Sequence, residues 1–112
     1  MQNEIELPLN VLPIACNLSA SEQTMRDEEV AGIFKDAQQV NEIADGYAFS
    51  FPGTEAWAAR LLQFIVGERS CCLFFTFELA FEPDQGPIWL RMRGPEGVKE
   101  FIKSSFVKNS IS

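Results

Sequence analysis

The feature that most constrains the fold of this chain is a pair of alternating segments in its C-terminal half. Every second residue over 75–81 is apolar, and the same alternation returns over 88–92. A period of two residues is typical of a strand with one buried face. The intervening residues 83–87, Pro-Asp-Gln-Gly-Pro, favour a turn. The two segments therefore predict a C-terminal β-hairpin.

Three other segments have the spacing of amphipathic helices. Ser19 and Glu22 form a capping-box pattern and predict a helix over 20–39. A second helix over 55–71 follows Thr54 and has the clearest helical periodicity in the chain. A third begins at Pro95, because proline suits the first helical position. We expect the first helix to expose its charged N-terminal half and to turn these apolar residues inward: Met25, Val30, Ile33, Phe34 and Ala37.

Two further extended segments complete the predicted architecture. One is a strand over 47–51, and the other, over 11–18, is placed at a sheet edge or outside the sheet by Pro8 and Pro13. The order strand, helix, strand, helix, hairpin, helix indicates an α+β fold. It predicts a small antiparallel or mixed sheet with a C-terminal β-hairpin, covered by about three helices. The length of 112 residues suits one core. We therefore assign 11–112 to a single domain and 1–10 to a flexible extension.

The net charge of −7 argues against two classes of partner. Nucleic acid and anionic membranes both favour a basic surface. No apolar run reaches the ~20 residues that span a bilayer, and the acidic N-terminus lacks the basic start of a secretory signal. These observations predict a cytoplasmic protein, in which thiols stay reduced. Adjacent cysteines such as Cys71 and Cys72 have Cα atoms only ~3.8 Å apart, so we do not expect a disulfide scaffold.

Helical periodicity places the acidic residue Glu68 on a buried face of the second helix. At about 100° per residue it falls in the middle of the apolar stripe of the second helix, flanked by Cys71 and Cys72. A buried carboxylate requires a partner. Arg91 and Arg93 of the hairpin, or backbone donors, are the structural candidates. The functional alternative is that Glu68 serves the thiols as a base or an oxygen ligand.

The three cysteines predict a metal site. Cys71 and Cys72 could converge on one soft ion, and Cys16 would supply a third thiolate, with Glu68 as a fourth group. Three sulfurs suit Cu(I), Hg(II) or As(III), and Zn(II) with an open fourth position. The chain contains no histidine, so a mixed Cys/His zinc site and Cys/His hydrolase chemistry are excluded. Binding is accordingly favoured over catalysis.

A purely structural role for the cysteines is the alternative, because free cysteine is among the most buried residue types. The protein would then be a protein-interaction or small-molecule-binding module, and a symmetric homodimer is the expected assembly. Trp89, Arg91 and Arg93 share one face of the last strand and form a candidate ligand or partner patch. The plain interpretation of the same three residues is a solvated or helix-covered face.

Three motifs of the chain resemble those of a family of small uncharacterised bacterial proteins. They are Cys16-Asn17-Leu18-Ser19, then Glu68-Arg69-Ser70-Cys71-Cys72-Leu73-Phe74, and Gly94-Pro95-Glu96-Gly97. The similarity extends over 16–106, and Leu73 stands where the family often has proline. The resemblance implies a shared fold and a shared motif set that includes all three cysteines and Glu68. It implies no particular reaction.

Overall fold

The computed structural model describes residues 18–110 of the chain. The helices are α1 (Ala20–Phe34), α2 (Glu55–Cys71) and α3 (Val98–Ile102). From α3 the chain continues through a π-helical segment, Lys103–Val107, into the short α4 (Lys108–Ser110). The strands are β1 (Gln39–Ile43), β2 (Gly46–Phe51), β3 (Thr76–Phe81) and β4 (Ile88–Arg93). This is the predicted α+β fold.

The four strands form one antiparallel sheet in the order β1-β2-β4-β3. In its centre Phe49 lies opposite Leu90, which lies opposite Leu79 on the next strand. β3 and β4 pair directly, as their alternation predicts, and helical segments follow them in the chain. Gly46 opens β2 because a Cβ atom there would collide with the backbone carbonyl of Met92.

The helices bury their apolar faces against one side of the sheet in a single core rich in phenylalanine. Phe34 lies at the centre of this core. The distance between ring centres is 4.8 Å from Phe34 to Phe49, 5.3 Å to Phe64 and 5.1 Å to Phe106. These edge-on ring pairs contribute about 0.5–1.5 kcal/mol each beyond the burial of area. The core therefore fixes α1, α2 and the C-terminal helical region relative to one another.

Helix α2 has the predicted bounds, whereas α1 is shorter than predicted. It ends at Phe34 instead of residue 39, and the backbone N–H of Gln38 already donates to Ser50 of β2. The segment that follows forms β1, a strand that was not predicted because only Val40 and Ile43 are apolar in it. A strand at the sheet edge needs few apolar residues, since little of it is buried.

Two other details of the prediction are wrong. Met25 is 69 % exposed and the inward position in the first half of α1 belongs to Arg26. The last helix begins at Val98 and not at Pro95, whose carbonyl accepts the N–H of Val98 in a turn before the helix. The predicted extension over 1–10 lies outside the described residues, as does the predicted strand over 11–18 apart from Leu18. Within 18–110, no helix is long and apolar enough to cross a membrane.

Candidate functional site

A buried ion pair joins α1 to α2. Nε of Arg26 donates to Oε2 of Glu68, and Nη2 of Arg26 donates to Oε1, both at 3.0 Å. The two side chains are 7 % and 5 % exposed. Glu68 is buried because it lies on the inner face of α2 one turn beyond Phe64 and Ile65. The pair is bidentate, the geometry in which arginine and carboxylate bind most strongly.

The placement of Glu68 confirms the position predicted from helical periodicity, but its predicted partners are wrong. Arg91 and Arg93 lie on β4, where they alternate with buried residues and face away from the helices. Arg93 pairs instead with Asp45 at 3.1 Å and with Glu78 at 3.0 Å. Arg26 was missed because it stands in a charged stretch of α1. The sequence signal for an inward-facing Arg26 was its position four residues before Val30, because residues four apart lie on the same face of a helix.

Arg26 has two further contacts that fix its guanidinium group. Its Cζ atom lies 5.3 Å from the ring centre of Phe106, in the π-helical segment. Its Nη1 atom lies 3.4 Å from the carboxylate of Asp27. A cation above a ring face is attracted to the π electrons. Arg26 therefore connects α1, α2 and the C-terminal helical region at one point beside the cysteines.

Cys71 and Cys72 lie at the C-terminal end of α2. Cys71 is the last helical residue and is partly exposed, whereas Cys72 caps the helix and is only 1 % exposed. The N–H of Cys72 donates to the carbonyl of Glu68 at 2.7 Å, which continues the helical hydrogen bonding to the cap. The two sulfur atoms are 3.8 Å apart. The helix thus presents both side chains on the side that carries Glu68.

The two cysteines differ in their bonding. Cys71 carries a free thiol, whereas Cys72 is disulfide-bonded. The disulfide of Cys72 therefore does not link it to Cys71. This agrees with the expectation from the short distance between neighbouring Cα atoms. The expectation that all thiols are reduced does not hold for Cys72 in this structure. The third cysteine of the sequence, Cys16, lies outside the described residues.

Glu68, Cys71 and Cys72 together could hold a metal ion. One carboxylate oxygen and the two sulfur atoms lie within 4.8 Å of one another. Two metal–sulfur bonds of ~2.3 Å at a tetrahedral angle place their sulfur atoms about 3.8 Å apart. The observed separation of the two sulfurs is the same. The thiolate of Cys72 can serve as a ligand only after its disulfide has been reduced.

An open cleft of about 470 Å³ gives access to this cluster. Arg26, Glu68 and Cys71 line it together with Leu18, the first described residue, and the exposed Met25. Two more carboxylates, of Glu22 and Glu29, also line the cleft. Three carboxylates against one guanidinium make the cleft net negative, and the C-terminal end of α2 adds the negative pole of the helix dipole. Both effects favour a cation.

Burial changes the proton affinity of the two groups at the base of the cleft. It raises the pKa of the Glu68 carboxyl, and the Arg26 guanidinium opposes this shift. Burial also raises the pKa of the Cys71 thiol, and the negative charge of Glu68 adds to the effect. A thiol with a raised pKa stays protonated and is a weak nucleophile near neutral pH, and a metal ion would have to displace this proton in order to bind.

The candidate patch of Trp89, Arg91 and Arg93 lies on the opposite side of the sheet from this site. The three side chains are half-buried on the outer face of β4, while Ile88, Leu90 and Met92 point into the core. Both carboxylates bound to Arg93 are themselves exposed, which makes this a surface ion-pair group. The role of the patch in ligand or partner binding stays a prediction.

Comparison with known proteins gives no match to this chain, neither to a family model nor to a curated protein nor to a solved structure. The function is therefore inferred from the geometry of the site.

Proposed function

We propose that the reduced protein binds a soft metal or metalloid ion through Cys71, Cys72 and Cys16, with Glu68 as a fourth group. The observation that carries the proposal is the cluster of one carboxylate oxygen and two sulfurs within 4.8 Å. Sulfur ligands select Cu(I), Zn(II) and the Hg(II) and As(III) class of ions. The net negative cleft and the helix C-terminus support a cation at this position.

The short sequence separation between Cys16 and Leu18 supports Cys16 as the third ligand. Leu18 lines the same cleft as Cys71, and Cys16 precedes it by two residues. Cys16 is therefore the cysteine of the N-terminal segment that directly precedes the first described residue of the cleft in sequence. A third thiolate would complete the set of sulfur ligands that the sequence motifs predict.

The role of Glu68 in the proposed site differs from that of the cysteines. Both of its oxygens accept hydrogen bonds from Arg26, yet a carboxylate has about four lone-pair positions and can still accept a metal. The ion pair would hold the carboxylate in a fixed orientation beside the sulfurs, as groups bonded to metal ligands commonly do. We therefore assign metal affinity mainly to the thiolates.

A metal titration of the reduced protein tests this proposal. Adding Cd(II) to the fully reduced protein should produce thiolate-to-metal charge-transfer absorbance that saturates at one ion per chain. Cys71→Ser should weaken binding about 100-fold or more, because even residues that only orient a ligand contribute 10–100-fold. Leu73→Ser is the matched control, since Leu73 follows the cysteines in sequence and is 65 % exposed. Equal affinities of the parent and Cys71→Ser would refute the proposal.

A protein-interaction module with structural cysteines is the second candidate function. Four large apolar side chains on or next to α1 and α2 favour it, because they are more than half exposed: Met25, Leu62, Val66 and Leu73. Exposed apolar groups of this kind mark contact surfaces when they are contiguous. A reduced protein that ignores Cd(II), Hg(II) and Cu(I) but self-associates would favour this candidate over the metal site.

A further inference from the structure

We propose that β3 is the interface of a homodimer, in which the β3 strands of two copies pair antiparallel about a two-fold axis at Leu79. The inference goes beyond the proposed metal site, because no residue of β3 lines the cleft beside the cysteines. β3 lies at one end of the sheet, and among residues 18–110 no strand pairs with its outer edge. Such an edge offers a row of backbone donors and acceptors to another strand.

The sequence of β3 lacks the features that keep edge strands from pairing. Natural sheets protect their edges with lysine, proline, bulges or very short strands. β3 is six residues long, its register with β4 is regular, and Glu78 is its only charged residue. Arg93 already compensates that charge at 3.0 Å. The aromatic side chain of Phe81, at the end of the strand, is 62 % exposed. The strand is therefore suited to a partner.

The backbone of β3 directs alternate residues to the free edge. The N–H of Glu82 donates to the carbonyl of Pro87, so every second residue before Glu82 also bonds to β4. The N–H and carbonyl groups of Phe77, Leu79 and Phe81 therefore point away from β4. The side chains of the same three residues lie on the core side of the sheet, because they are opposite buried residues of β4. The free backbone groups and the apolar side chains thus belong to one set of residues.

A register centred on Leu79 uses this whole set. Leu79 then lies opposite Leu79 of the second copy, and Phe77 lies opposite Phe81 of the second copy on both sides of the axis. Each opposed pair exchanges two backbone hydrogen bonds, about six in all. An axis at Glu78 would instead set two carboxylates directly opposite each other, which destabilises a sheet. An axis one residue beyond Leu79 would oppose Phe77 to Pro83, which has no N–H.

The same register joins the two cores. Phe77 belongs to the core, and its ring centre is 6.3 Å from that of Phe64 and 5.2 Å from that of Phe75. The exposed ring of Phe81 from the second copy lies next to Phe77, and cross-strand aromatic pairs stabilise a sheet. A two-fold axis perpendicular to the sheet keeps the helices of both copies on one side. The two four-stranded sheets thereby become one continuous sheet.

Sedimentation and residue-resolved hydrogen exchange test the interface. We expect the parent to sediment at about twice 12.6 kDa at micromolar concentration, with slow exchange of the N–H groups of Phe77, Leu79 and Phe81. Phe81→Lys should sediment as a monomer and lose protection at Phe77 and Leu79. The N–H of Phe49, in the centre of the sheet, should stay protected in this variant, which shows that the fold is intact.

Val66→Lys is the matched control, because Val66 is 61 % exposed on α2 and Phe81 is 62 % exposed on β3. This variant should remain a dimer. A parent that sediments as a monomer would overturn the proposal, and slow exchange at β3 in such a monomer would assign the edge to another segment of the chain. A dimer that dissociates in Val66→Lys but not in Phe81→Lys would also overturn it, in favour of an interface on the helices.

Cysteine cross-linking in a Cys71→Ser background, which removes the free thiol, tests the register. Leu79→Cys should form a covalent dimer on mild oxidation, because directly opposed Cα atoms are ~5.5 Å apart and a disulfide spans ~4.4–6.8 Å. Phe81→Cys should not, since its two introduced thiols lie roughly 14 Å apart along the ladder. The absence of a cross-link in Leu79→Cys, or a cross-link in Phe81→Cys, would overturn the register. Neither outcome bears on Cd(II) binding, which is measured separately.

Discussion

Replacing Glu68 by glutamine should strongly destabilise the fold. The substitution conserves the shape of the side chain but removes its charge, and it turns an amide N–H toward one of the two Arg26 donors. Arg26 then remains buried at 7 % exposure without its counter-charge. Breaking a buried ion pair from one side costs about 3–5 kcal/mol. The contacts of Arg26 with Phe106 and Asp27 are weaker and do not replace the carboxylate.

The expected loss corresponds to a large change in melting temperature. At about 2.1 cal/mol/K per residue, the unfolding entropy of 112 residues gives about 4 °C per kcal/mol. Glu68→Gln should therefore melt about 13–21 °C below the parent. Thermal melts and urea titrations followed by circular dichroism measure this difference. All samples should contain reductant, so that the bond of Cys72 does not contribute.

Two further variants make this test specific to the buried pair. Glu78→Gln is the matched control, since Glu78 pairs with Arg93 at the same 3.0 Å distance but is 47 % exposed. Its melting temperature should change far less. Replacing both partners, Arg26→Met with Glu68→Leu, should recover most of the loss because no buried charge remains. A Glu68→Gln melt within about 4 °C of the parent would refute the reasoning.

Four other outcomes are expected. Alkylation of Cys71 by iodoacetamide in the reduced protein should be slow at pH 7–8 and still accelerate above pH 9.0, its ordinary pKa, because burial raises the pKa of this thiol; a rate that levels off below pH 8 would contradict this. By the same shift, the contribution of Cys71 to stability is full below pH 9.0 and is lost as the pH rises through the raised value, which urea titrations at pH 8 and 10 can measure. Phe34→Ala should lower the free energy of unfolding by about 3–5 kcal/mol, since four rings pack around Phe34 in the core; a loss below about 1 kcal/mol in urea titrations would refute the central position of this ring. The parent should sediment as a dimer of twice 12.6 kDa, and Phe81→Lys on the edge strand β3 should sediment as a monomer; a parent mass of 12.6 kDa at micromolar concentration would exclude the dimer.

The helices and strands of this fold whose sequences have strong periodicity could be predicted from local patterns. Helix α2 runs from Glu55 to Cys71 as predicted, since Thr54 caps it and its apolar residues recur every three to four positions. The pairing of β3 with β4 followed from their alternation and the turn between them. Strand β1 could not be found in this way, because its pairing with β2 and not its own apolar content holds it in the sheet.

The candidate site was likewise predictable from the sequence only in part. Periodicity along α2 was enough to place Glu68 on the buried face beside Cys71 and Cys72, since all three lie within five residues at the C-terminal end of one helix and its cap. The partner of Glu68 depended on which face of α1 packs against α2, because Arg26 and Glu68 are 42 residues apart in sequence. Helical periodicity relates residues within one element, whereas a contact between two elements depends on how their faces pack. The charge balance of the cleft and the buried ion pair are therefore properties of the tertiary structure alone.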